Sequence, residues 1–139
     1  MGAALLRHAL AAEEGPLRNV SVISAGVSAR GGEPPTDQSV IALKKVGIDL
    51  TNHISQPLTQ ELVNGAMAVI CMTDSHRAMV RLLADPEPGN LILFREFVKG
   101  GEREIADPYG CPLPVYEASR DEMVEAIPSL VEFLRTQVR

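Results

Sequence analysis

The sequence predicts an α/β sandwich: a mostly parallel sheet with helices on both faces. Three observations carry this. Apolar stretches of strand length alternate with stretches of helical period along the chain. The run Ala66 to Met72 is apolar on both faces, as in a strand buried on both sides of a parallel sheet. A second short apolar run, Asn90 to Phe94, follows one helix later. With 139 residues, 45% hydrophobic and 22% charged, the chain suits one compact domain spanning residues 1–139.

The elements follow in order. Gly2 to Ala12 reads as a helix with Leu5, Leu6, Ala9 and Leu10 as its apolar stripe, stopped at Gly15-Pro16. Asn19 to Ser24 alternates and is rich in β-branched residues, so it reads as a strand. Ala25 to Pro35 reads as a loop. Thr36 is placed to cap a helix reaching Val46, with Val40, Ile41, Leu43 and Val46 inward and Gly47 as its stop. Thr59 caps a short helix. Strand Ala66 to Met72 leads to Thr73 or Asp74, either of which caps a helix through Leu83. Strand Asn90 to Phe94 is followed by a Gly- and Pro-rich loop from Gly100 to Pro114. The final helix runs from Tyr116 to Gln137, with Tyr116, Met123, Ile127, Leu130 and Leu134 on one face and a bend or restart at Pro128. The chain opens on a helix with no strand before it, whereas doubly wound folds place their ligand at the first strand-to-helix turn.

Net charge is −5 and tryptophan is absent, which argues against a nucleic-acid surface. No apolar run approaches the ~20 residues of a membrane span, and no signal peptide is indicated. Cys71 and Cys111 have neither metal-type spacing nor a disulfide framework, so no metal is expected and a reducing cytoplasm is the simplest compartment. His8 and His76 read as surface residues.

Short motifs recur in a fixed order: Ser24-Ala25-Gly26, Gly47-Ile48-Asp49-Leu50, Asn52-His53-Ile54-Ser55, Leu58-Thr59, Val69 to His76, Asp107-Pro108-Tyr109-Gly110, then Tyr116 and Arg120-Asp121-Glu122. This ordered set resembles the low-molecular-weight protein-tyrosine-phosphatase family over the whole chain. The stretch Asn52 to Leu58 and the run into Asp107 look more like the bacterial protein arginine phosphatases; phosphotyrosine-directed members more often have Arg-Gln where this chain has Gln56-Pro57.

The resemblance implies hydrolysis of phosphotyrosine or phosphoarginine through a cysteinyl-phosphate, without a cofactor, on a phosphorylated protein or small phosphoester. It implies Asp107 as the general acid, a role competing with that of a plain Asp-Pro turn. Tyr109 would wall the substrate pocket or be an ordinary loop aromatic. Ser24 and His53 would brace the phosphate loop, or serve as cap and surface contacts. The family's C-x5-R loop, which would supply the nucleophile, is not found ahead of the first helix: Met1 aligns within the segment that follows it. The expectation is a chain lacking its first strand and phosphate loop, with little activity of its own and an open sheet edge through which two copies could pair. The alternative function is a non-catalytic binding or regulatory module.

Cys71 to Arg77 is itself C-x5-R. It has no glycine to let backbone N–H groups converge, and Asp74 would face the phosphate dianion, so Cys71 reads as a strand cysteine. Cys111 reads as a loop cysteine. The family's arsenate reductases use a close cysteine pair, which this sequence does not have.

Overall fold

The computed structural model describes residues 1–26, 34–54, 56–84 and 88–138. Its elements are α1 (Gly2–Ala11), a 3-10 turn (Gly15–Asn19), α2 (Asp37–Lys44), α3 (Gln60–Gly65), β1 (Val69–Cys71), α4 (Asp74–Leu83), β2 (Leu91–Leu93) and α5 (Leu113–Gln137). β1 and β2 pair in parallel, Val69 with Leu91, Ile70 with Ile92 and Cys71 with Leu93. The α/β class with a parallel sheet is as predicted.

Strand alternation builds the two faces. Ile70 and Ile92 join a core with α1, α2 and α5. Val69, Cys71, Leu91 and Leu93 point the other way, into a smaller core with Val63 of α3 and Val80 of α4. Helices therefore cover both faces of the sheet. On the larger side the stripe Leu5, Leu6 and Leu10 of α1 packs with Met123, Ala126, Leu130, Val131 and Leu134 of α5. Sequestering such side chains contributes about 1.5–3 kcal/mol each.

The helix starts carry the expected chemistry. Thr36, Thr59 and Thr73 each accept a hydrogen bond from the backbone N–H three residues on, at 3.3, 3.1 and 3.1 Å. Thr73, rather than Asp74, is thus the cap of α4. Beyond α2, Gly47 adopts φ +82 and Ile48 N–H returns to Leu43 O at 3.0 Å, a left-handed stop that favours glycine.

Four expectations change. Ile41 and Val46 face solvent, 44% and 42% exposed. Leu43 is inward and Val40 packs against the core as expected, and α2 adds Ser39 and Ala42 to the face it turns to α5. α5 starts at Leu113 and continues through Pro128 as one helix. The strands shrink to Val69–Cys71 and Leu91–Leu93. Most instructive is the predicted strand Asn19 to Ser24. Burial alternates from Val20 to Gly26 as a half-buried strand requires. Among the described residues the segment nevertheless forms no ladder, only a single parallel bridge from Gly26 to Pro57. Residues 27–33 of the predicted loop lie outside the described residues, as does Ser55.

Candidate active site

A cleft of about 290 Å³ opens between α1, the Ile23–Ser24 segment and the 49–56 turn. Ala4, Arg7, Ser24, Asn52, His53 and Gln56 are among its lining residues. The turn is built by Asp49, whose Oδ1 accepts from Thr51 N at 2.9 Å and Thr51 Oγ1 at 2.6 Å. Those bonds hold the Asp49 carboxyl below its ordinary pKa, the Thr51 hydroxyl contributing most. His53 N–H then closes the turn on Leu50 O at 3.0 Å.

The closure brings His53 to Ser24. Ser24 Oγ and His53 Nε2 are hydrogen-bonded at 3.2 Å, joining two sequence motifs 29 residues apart. Burial pushes the His53 pKa down, and neighbouring positive charge, including that of the amino terminus and Arg7, pushes it further. The ring is thereby biased towards its neutral form.

The loop carrying Asp107 is anchored just upstream. Ile105 is buried and its N–H donates to Met72 O at 2.9 Å, so the loop rises beside the C-terminal end of β1. Active groups of open α/β sheets gather at that end. Asp107 Oδ1 accepts from Tyr109 N at 3.0 Å, and Cys111 N–H closes on Pro108 O at 2.8 Å. Gly110 at φ +81 permits that turn. Asp107 is exposed, and Tyr109 is 77% exposed. Neither lines the cleft holding Ser24 and His53, so the structure joins those two and leaves Asp107 and Tyr109 on a separate loop.

The C-x5-R turn after β1 is filled by other groups. Cys71 is buried, and burial raises its thiol pKa against the opposing pull of Arg77 and Arg81. Such a thiol is a poor nucleophile. Arg77 is bound by Asp74 and, at 3.1 Å, by Glu96, which also pairs with Arg103. Asp74 N–H at the start of α4 donates to Glu104 Oε2 at 2.9 Å. A carboxylate already occupies the position a phosphate would need. Neither cysteine lines the cleft, and the 139 residues contain no third. Among the described residues no group of three or more His, Cys, Asp or Glu side chains could hold a metal ion. None of the described helices is long and apolar enough to cross a membrane.

Sequence reasoning missed Arg7 and Arg95. Arg7 reaches from α1 to Val22 O. Arg95, only 5% exposed, donates to Glu102 O at 2.6 Å and Glu122 O at 2.9 Å. An arginine following a buried strand gives no local sign of such a role. Gln56 stood out only as a family marker, without its hydrogen bond to Ser24 O.

The family described as low molecular weight phosphotyrosine protein phosphatase matches residues 1–139. A protein-arginine-phosphatase of Geobacillus stearothermophilus is 36% identical over 137 residues, covering 99% of this chain and 88% of that protein. A protein-arginine-phosphatase of Bacillus subtilis (strain 168) is 34% identical over 121 residues, covering 87% of this chain and 80% of that one. The crystal structure of a low molecular weight protein tyrosine phosphatase from T. tengcongensis superposes with a TM-score of 0.82 at 30% identity, covering 94% of this chain and 87% of its own. These matches do not show a truncation, and they do not support the expectation that the chain is inactive because of one. Motifs, fold and similarity agree: the chain belongs to the low molecular weight phosphotyrosine protein phosphatase family.

Proposed function

We propose that this protein removes phosphate from phosphorylated protein side chains, with phosphoarginine as the preferred substrate over phosphotyrosine. The Ser24–His53 contact in the cleft carries the reading, because two separated family motifs meet there in one hydrogen bond. The higher identity to the two arginine phosphatases and the Gln56-Pro57 pair support the preference.

Asp107 is the general acid. In the cysteinyl-phosphate route that the family implies, a thiolate bonds phosphorus as the P–N or P–O bond breaks, and water later releases phosphate. The electrons left on nitrogen or oxygen need a proton, which an exposed carboxyl group on a loop at the carboxyl end of β1 is suited to supply. Tyr109 offers its ring as a wall for the substrate. Ser24 and His53 take the phosphate-supporting role that the family resemblance gives them. The nucleophile is assigned to neither Cys71 nor Cys111. A cytoplasmic location and pairing of two copies through an open sheet edge belong to the same reading; sedimentation of the purified protein tests the pairing.

The decisive assay uses the protein as the cell makes it, with phosphoarginine-bearing and phosphotyrosine-bearing proteins as substrates. Phosphate release is expected from the first, and Asp107→Asn is expected to slow it about 10²–10⁴-fold. Failure to hydrolyse either substrate, or a rate indifferent to Asp107→Asn, refutes the reading. Faster release from phosphotyrosine overturns the preference alone.

A further inference from the structure

We infer that Gln56 is a positioning residue that, together with Arg7, holds Ser24 against His53. The segment Val20 to Gly26 has the alternating burial of a strand but, among the described residues, no ladder to fix it. Its carbonyls are held in other ways. Val22 O accepts from Arg7 Nε at 3.2 Å and Nη2 at 2.6 Å. Ser24 O accepts from Gln56 Nε2 at 2.8 Å. Gly26 donates its N–H to Gln56 O and accepts from Leu58 N–H, both at 3.0 Å.

Residues 22, 24 and 26 have the spacing that, in an extended chain, turns their main-chain groups to one edge. Three successive anchors thus replace a neighbouring strand, and two of them are side chains. Among these anchors Gln56 alone reaches the main chain of Ser24 itself. Its tether and the Ser24–His53 hydrogen bond act on the same residue, so releasing the carbonyl lets Ser24 turn and its hydroxyl leave His53 Nε2. Gln56 lines the cleft and spends one of its two amide N–H groups on the Ser24 carbonyl. The backbone bonds at Gly26 survive any side chain at position 56, so the 56–58 segment stays docked when the amide is lost.

The inference gains its functional meaning from the proposed support role of Ser24 and His53, and its test separates the two. Imidazole ¹⁵N NMR of His53 is recorded in the unaltered protein, Gln56→Met, Gln56→Glu, Arg7→Met and, as reference, Ser24→Ala. Methionine keeps length without a donor; glutamate puts an acceptor against the Ser24 carbonyl. Both Gln56 variants are expected to move the His53 signals towards the Ser24→Ala positions. The Ser24–His53 contact is expected to weaken about 2–10-fold, the worth of one neutral hydrogen bond. Arg7→Met is expected to produce a smaller movement in the same direction. In phosphate release, Gln56→Met combined with Ser24→Ala is expected to be no slower than Ser24→Ala alone, because the two changes remove the same interaction. His53 signals that stay in place in both Gln56 variants overturn the inference, as does a Ser24→Ala protein with unmoved His53 signals. If the signals move but Ser24→Ala leaves phosphate release unchanged, the positioning role stands and the support role of Ser24 falls.

Discussion

Arg95→Met tests whether the Asp107-bearing loop is tied to the helical layer by one buried cation. Arg95 makes three contacts: Glu102 O at 2.6 Å, Glu122 O at 2.9 Å and Glu125 Oε1 at 3.3 Å. The Glu125 side chain is 63% exposed, so that pair is worth only ~0–1 kcal/mol. Glu122 lies inside α5, where its carbonyl also faces the N–H one turn on. Glu102 lies on an exposed loop, so water can replace part of what its carbonyl loses. Charge-assisted hydrogen bonds contribute ~1.5–3 kcal/mol each. Against this stands the relief from no longer burying a guanidinium, and methionine retains much of the stem's packing. The expected net loss is ~2–4 kcal/mol, a large share of the ~5–15 kcal/mol of a typical domain. Urea unfolding at pH 7 measures it, with Glu125→Gln as a control expected to lose under ~1 kcal/mol. Amide exchange should show opening of residues 102–105 beyond that of α1 and α5. A loss below ~1 kcal/mol, or equal opening throughout, refutes the view of Arg95 as the anchor of this loop.

Other outcomes follow from the same contacts. Thr73→Ala removes the hydroxyl that caps α4 and is expected to cost ~0.5–2 kcal/mol by urea unfolding. Pro128→Ala restores a helix-interior N–H donor and is expected to stabilise the protein, by up to the ~3 kcal/mol that an internal proline can cost; no gain in melting temperature would contradict this. The His53 pKa is lowered in the folded state, so the unfolded chain takes up its proton first as pH falls. Stability should therefore be complete above the unfolded value near ~6.5 and decline as pH drops from there towards the lowered folded value; His53→Gln should flatten that part of the curve. Cys71, buried with a raised pKa, should resist a thiol reagent at pH 7 until the protein unfolds, and equally rapid labelling of Cys71 and Cys111 would count against its inert role.

Much of the fold was legible because its signals are local. The α1 stripe of Leu5, Leu6 and Leu10 needs only helical period, and the three threonine caps need only a side chain within reach of an N–H three residues on. The turn stops need only a left-handed glycine, as at Gly47. Ile41 failed because apolar character states that a residue can be buried, not which stripe the neighbouring helix will cover. Pro128 does not restart α5, because the helix is held by packing along its length, with Met123, Ala126, Leu130 and Val131 buried on both sides of the proline.

The site divides along the same line. The motifs around Gly47-Ile48-Asp49 and Asp107-Pro108-Tyr109 are local turns, each held by an aspartate accepting from a backbone N–H two residues on. Their spacing along the chain survives in sequence because each turn is self-contained. What joins distant segments is different: long polar side chains that cross to a main-chain carbonyl. Arg7 does this to Val22, Gln56 to Ser24, Arg95 to Glu102 and Arg120 to Ala42. A carbonyl has no side-chain identity, so the accepting end of such a bond leaves no pattern in sequence, even where the donor, as with Gln56 and Arg120, stands in a motif. This explains why Ser24, His53 and Gln56 could be picked out individually while the hydrogen bonds that join them could not. It also locates the sensitive points of the site. Substituting Asp49 or Asp107 alters one turn, whereas losing Arg7 or Gln56 releases a segment whose strand-like burial has, among the described residues, only a single bridge behind it. The inferred hold on the Ser24–His53 pair thus lies in two crossings to main-chain carbonyls, from Arg7 and Gln56, rather than in the residues of the pair alone.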